Sequence, residues 1–98
     1  MTRRFESKVL RDAARNRACV LCGNDEEGGV VLAHLPGSFY GMPAGTGQKC
    51  HDWLGSHLCD LCHGAMDGEW RNDSAMRMQA LCLTLERLFN EGVIVVAD

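Results

Sequence analysis

At 98 residues, with 46% apolar and 23% charged side chains, the chain has the size and composition of one small folded domain, residues 1–98, and not of a disordered tail. Its longest apolar runs, such as residues 93–97, are far too short to cross a bilayer, so no membrane partner is expected. The net charge of −3 is uneven: residues 1–17 carry six basic side chains against two acidic ones, and the other 81 residues carry four against eleven.

In chain order, Ser7 predicts a helix cap and a helix through about Arg17, with Val9, Leu10, Ala13 and Ala14 on one face. This basic N-terminal helix is either the contact for a nucleic acid or a solvated amphipathic helix that happens to be basic. The same residues are too charged for the apolar segment of a secretory signal, so a cytoplasmic setting with reduced thiols is expected. Cys19-Val20-Leu21-Cys22-Gly23 comes next, then an acidic turn over 24–29. Val30 to Leu35 is rich in β-branched residues and predicts a strand, ended by Pro36-Gly37. Residues 36–52 hold both prolines and glycines 37, 41, 45 and 47, a long loop of the kind that is usually functional. Trp53 to Leu58 predicts a second short strand, and Cys59-Asp60-Leu61-Cys62-His63 opens a short helix to about Asp67. Asp73 or Ser74 caps a longer helix over about 75–91, whose apolar face is Met78, Leu81, Cys82, Leu85, Leu88 and Phe89. Gly92 stops it, and Val93 to Val96 predicts a final strand. The expected class is α+β: a basic helix over 1–17, a core over 19–67, and a C-terminal helix and short strand over 74–96.

Six cysteines in so short a chain point to a staple, because a domain this small is marginal on its hydrophobic core alone. Cys19 with Cys22, and Cys59 with Cys62, form two C-x-x-C pairs separated by 36 residues. Four thiolates make a closed tetrahedral site for structural Zn²⁺, which would clamp the two ends of the insertion together. A redox dithiol or two disulfides are the alternatives, and the lack of a thioredoxin-like pattern favours zinc. Cys82 reads as core packing. Cys50, beside His51, reads as a loop residue, with a ligand or a reactive thiol as the sharper alternatives.

Of four histidines, His34 ends the first strand and His63 follows Cys62 directly. Asp67 lies four residues beyond His63, so the two share one helix face and can grip one ion. A neutral imidazole near a hydrated metal is a competent general base at pH 7, which points to metal-assisted phosphodiester hydrolysis. Read singly, His34 is a satisfied strand-end residue, His63 a replacement zinc ligand and Asp67 a solvated or turn-forming carboxylate. The order strand-His, Gly-rich loop, C-x-x-C-His, helix-Asp is what joins them.

That order resembles the HNH, or ββα-metal, endonucleases, and more closely the small prophage-encoded nucleases of the YbcO type. The similar segments are Leu10-Arg11 with Ala13-Ala14-Arg15, Leu32-Ala33-His34, Gly45-Thr46-Gly47 with Lys49, Asp52, Cys59-x-x-Cys62-His63 with Asp67, and Glu91-Gly92-Val93-Ile94, covering about residues 9–95. The resemblance implies a zinc-stapled ββα-metal domain that hydrolyses DNA and is phage or prophage encoded. By it, His34 activates the attacking water, and His63 and Asp67 hold a catalytic Mg²⁺, Mn²⁺ or other divalent ion. The four paired cysteines match its structural zinc knuckles, and the products carry a 3′-hydroxyl and a 5′-phosphate. Many HNH motifs place a metal ligand directly before the base histidine, where this chain has Ala33. Their central Asn has no clear match, Asp52 being the nearest polar residue, and the spacing of the first cysteine pair is shorter than in the YbcO type. Arg15, Arg17 and Lys49 are the expected phosphate contacts. Two rival expectations stay open. One is a catalytically idle zinc module that binds DNA or a phage recombination protein. The other is a structural zinc protein that forms a homodimer through its C-terminal helix and the 93–96 strand.

Overall fold

The apolar pattern changes at Cys59 from strand-like to helical, and the chain turns there from the sheet into the helix that packs on it. The computed structural model describes residues 4–25, 29–35 and 50–97. Most of the Gly-rich stretch, with Gly45-Thr46-Gly47 and Lys49, lies outside them. The element order is α1 (Lys8–Asp12), β1 (Val30–His34), β2 (Gly55–Cys59), α2 (Asp60–Asp67) and α3 (Ser74–Asn90), a small α+β architecture.

β1 and β2 pair antiparallel, with Val30 opposite Cys59 and His34 opposite Gly55. β2 is buried along its whole length, whereas Val31 of β1 is exposed. Gly55 is required by the packing: a Cβ there would stand 2.7 Å from Leu32 Cδ1. The core gathers Cys19, Val30, Ala33, Leu58, Cys59, Cys62, Met66 and Ala80, so it joins both cysteine pairs to the sheet, α2 and α3.

Three elements differ from the expectation. The N-terminal helix ends at Asp12, well before Arg17. The Ser7 hydroxyl does cap it, accepting from Leu10 N–H at 3.2 Å. Beyond Asp12 the chain turns through Asn16, whose φ of 59° is left-handed, and brings Arg17 to Glu91 at 2.7 Å. Leu10 and Ala14 are buried, while Val9 is exposed.

On α3 the buried face is Arg77, Ala80, Leu81, Thr84 and Leu88. Of the expected face only Leu81 and Leu88 are fully buried; Met78, Cys82 and Phe89 are exposed, so Cys82 is not a core residue. The helix is rotated because polar side chains take core seats by satisfying buried backbone. Arg77 Nη2 donates to the Met66 carbonyl at 2.7 Å, and Thr84 Oγ1 accepts from His57 N–H at 3.1 Å while donating to the Ala80 carbonyl at 2.9 Å.

Residues 93–96 are not a strand. Val93 and Ile94 donate back to the Leu88 carbonyl around Gly92, whose φ is 74°, and close the helix end instead. Val95 and Val96 are exposed. Among the described residues no helix is long and apolar enough to cross a membrane.

Candidate metal centre and histidine–carboxylate pair

The first cysteine pair sits in a tight turn. Gly23 N–H donates to the Cys19 carbonyl at 2.9 Å, and Gly23 takes the left-handed φ of 79° that this turn needs. Val20 N–H donates to the His57 carbonyl at 3.0 Å, which anchors the turn to β2. The second pair straddles the strand-to-helix junction, with Cys59 as the N-cap of α2 and Cys62 in its first turn. The four Sγ atoms converge within 4.8 Å of one another, and Cys22 and Cys59 are 3.5 Å apart. Tetrahedral Zn–S bonds of about 2.3 Å put sulfurs about 3.8 Å apart, so the cluster fits a zinc ion. All six cysteines are free thiols, which sets the disulfide alternative aside.

The thiols do not ionise alike. Burial opposes the Cys19 thiolate, but the N–H groups of Cys22, Cys59 and Leu21 and the Cys22 thiol outweigh it and bring Cys19 down to about 6. Burial and then the other three thiols push Cys62 up. Four sulfurs crowded together resist collective ionisation unless a cation joins them, and that is the chemistry of a divalent-ion site.

His34 Nε2 lies 2.7 Å from Asp52 Oδ1. The Asp52 side chain is fully buried, and that of His34 is 9% exposed. Asp52 also accepts from Arg4 Nη2 at 3.0 Å and from Ser7 N–H at 2.6 Å, with Arg11 Nε at 3.7 Å. Burial raises the Asp52 carboxyl, but the His34 and Ser7 hydrogen bonds and the His34 and Arg4 charges prevail and hold it below the usual carboxylate range.

His63 and Asp67 do share a face of α2, with Nε2 and Oδ2 3.5 Å apart and both side chains open to solvent. Among the described residues, no third His, Cys, Asp or Glu brings a ligand atom within 4.8 Å of both. No hydrogen bond or ion pair links His34 to either. An imidazole nitrogen and a carboxylate oxygen suit a divalent ion whose other positions are filled by water or phosphate oxygens.

The other two histidines are held within the fold. His51 Nδ1 accepts from Phe5 N–H at 2.8 Å. His57 is fully buried with Nδ1 3.1 Å from Arg87 Nη1, and burial together with Arg87 and Arg17 pushes its pKa down to about 4. Arg15 is exposed beside Asp12, Arg17 is engaged by Glu91, and Lys49 lies outside the described residues. Cys50 is buried, its carbonyl accepting from Arg4 Nε at 3.1 Å. Arg4 and Arg11 were not among the expected phosphate contacts, since only folding carries them to Asp52; the basic bias of residues 1–17 was the signal for Arg4, and Arg11 also stood in a segment of the resemblance.

Comparison with protein-family models, with curated proteins and with solved structures finds no match for this chain.

Proposed function

We propose that this protein is a metal-dependent endonuclease that hydrolyses DNA phosphodiester bonds, with an HNH-like ββα-metal core. The observation that carries the reading is the His34–Asp52 pair at the connected end of the hairpin, whose open end enters the cysteine cluster. An ionised Asp52 can only accept hydrogen bonds, so a neutral His34 places its proton on Nε2. Nδ1 is then the basic nitrogen, and it takes a proton from the attacking water. The buried carboxylate stabilises the imidazolium that forms, as a positioned carboxylate does for any general-base histidine. His63 and Asp67 would hold the divalent ion, which when bound supplies charge stabilisation to the phosphate and the leaving 3′-oxygen. Arg4, Arg11 and Arg15 lend positive charge to the approach of the backbone. A structural zinc held by the four cysteines would keep α2 fixed against β2.

Plasmid nicking with Mg²⁺ or Mn²⁺ tests the reading. Wild type is expected to nick, and His34→Ala to lose at least about a hundredfold in rate. Equal rates would remove His34 from the reaction.

A second reading has one observation in its favour. With Ala33 in place of a ligand, α2 offers only His63 and Asp67, and both are solvent-exposed. A zinc-fold module that binds DNA or a protein without cutting would look the same. DNA affinity that persists with no cleavage across several divalent metals would select it.

A further inference from the structure

Trp53 stands at the third position of the turn that carries Asp52. Leu54 N–H donates to the His51 carbonyl at 2.9 Å and closes this turn, and Leu35 N–H donates to the Leu54 carbonyl at 2.9 Å, tying it to the residue after His34. Trp53 is 41% exposed, although tryptophan is among the side chains that gain most from burial. One contact nonetheless orients its ring. It stacks on the His51 ring with centroids 5.5 Å apart and planes 9° from parallel, and His51 is itself buried and held by Phe5 N–H. Arg4 approaches the same turn, with Nε on the Cys50 carbonyl and Nη2 on Asp52. An aromatic plate and the carboxylate that orients His34 therefore share one short, well-bonded turn, and the Arg4 guanidinium lies against it, paired with Asp52 and Glu6.

We infer that Trp53 is a stacking platform for an unpaired nucleobase, and that the DNA taken by this site is single-stranded or locally unpaired. The inference rests on the phosphodiester reading above and narrows its substrate class. Every base offers a π-face to an indole, and nearby arginines add backbone attraction, which is the chemistry of single-strand recognition. Inside a continuous duplex each base is already covered on both faces by its neighbours, so stacking on an indole costs unstacking there and is favoured where pairing is interrupted. A base resting on Trp53 would bring its own sugar–phosphate to the turn that holds His34, so the platform would also choose which bond is presented.

The test uses the zinc-loaded full chain at low salt without added Mg²⁺ or Mn²⁺. Binding is read by fluorescence anisotropy with a short oligothymidylate, the same strand made of abasic residues, and a duplex of equal length. Wild type is expected to bind the thymidylate about five- to a hundredfold more tightly than the abasic strand. Trp53→Ala should erase that difference, and Trp53→Phe should keep most of it. Equal affinity of wild type for the thymidylate and abasic strands, no single-strand binding at all, or undiminished thymidylate binding by Trp53→Ala overturns the inference. If Trp53→Ala is unfolded by circular dichroism, the wild-type comparison of the two strands and Trp53→Phe decide it. Cleavage assays on single-stranded circular DNA and on plasmid, each with Mg²⁺ or Mn²⁺, separate the two ideas. Cleavage of either DNA without base-dependent strand binding sinks the platform alone, and base-dependent binding without cleavage of either DNA in either metal sinks the hydrolytic reading alone.

Discussion

Asp52 Oδ2 accepts the backbone N–H of Ser7 at 2.6 Å, and Ser7 is the residue whose hydroxyl caps α1. One buried carboxylate thus fixes the start of the N-terminal helix, the Arg4 guanidinium and the His34 imidazole together. The segment from Arg4 to Asp12 contributes few buried apolar side chains, Leu10 being the exception. Its attachment to the body is mainly this polar junction and the bond from Asp52 N–H to the Phe5 carbonyl at 2.9 Å.

Asp52→Ala should therefore cost more than a surface ion pair. It strands the Ser7 N–H and His34 at once and leaves Arg4 with only Glu6 and the Cys50 carbonyl, and breaking such a buried pair by removing one partner costs about 3–5 kcal/mol. Asp52→Asn keeps the volume and one acceptor and should cost less. Urea unfolding with zinc present reads both. A loss below about 1 kcal/mol for the alanine variant would show that the junction contributes no more than an exposed pair.

The same carboxylate sets an acid limit. Its folded pKa lies below the ordinary carboxylate value, so its stabilisation is complete above the unfolded pKa of about 3.9 and fades as pH falls through the lower folded value. The stability gap between wild type and Asp52→Asn should be present at about pH 5 and above and narrow as pH falls below about 4, read over the range in which both proteins keep their zinc and unfold cooperatively. A gap that grows below about pH 4 would contradict the depressed pKa.

Zinc removal should unfold the core rather than loosen a loop. Cys19, Cys59 and Cys62 belong to the same apolar cluster as Leu58, Met66 and Ala80, so expelling the ion leaves crowded thiols in the centre of the molecule. One zinc per chain is expected by metal analysis. A strong chelator should abolish the cooperative thermal transition, and Cys59→Ser, whose oxygen is a poorer zinc ligand and whose site is fully buried, should mimic it. A chelated protein with an unchanged melting curve would mean that the thiols need no ion.

Much of this was legible in the residues themselves. Cap signals at Ser7 and Asp73, β-branching at Val30-Val31 and the paired cysteines act over a few positions, and the elements and the sulfur cluster follow from them. The i, i+4 placement of His63 and Asp67 is helix geometry and holds. What local pattern could not convey was long-range satisfaction of polar groups. His34 meets Asp52 from eighteen positions away, and Arg4 reaches it from forty-eight. The 93–96 run has the composition of a strand, yet its start is spent on closing α3.

The rotation of α3 is the sharpest such case and is open to a direct contrast. Apolar periodicity marks Cys82 as core and Thr84 as surface; the structure exposes Cys82 and buries Thr84 completely. Thr84 Oγ1 is the acceptor for the His57 N–H, in the middle of β2. Thr84→Val keeps shape and helix propensity nearly constant but leaves that buried N–H unpaired, which costs about 1–3 kcal/mol. Cys82→Ser removes only an exposed thiol and should stay within about 0.5 kcal/mol of wild type. Chemical denaturation of the two variants side by side measures both. If the serine variant proved the more damaging, α3 would have to sit with its Met78–Cys82–Leu85–Phe89 face inward, and His57 N–H would need another acceptor.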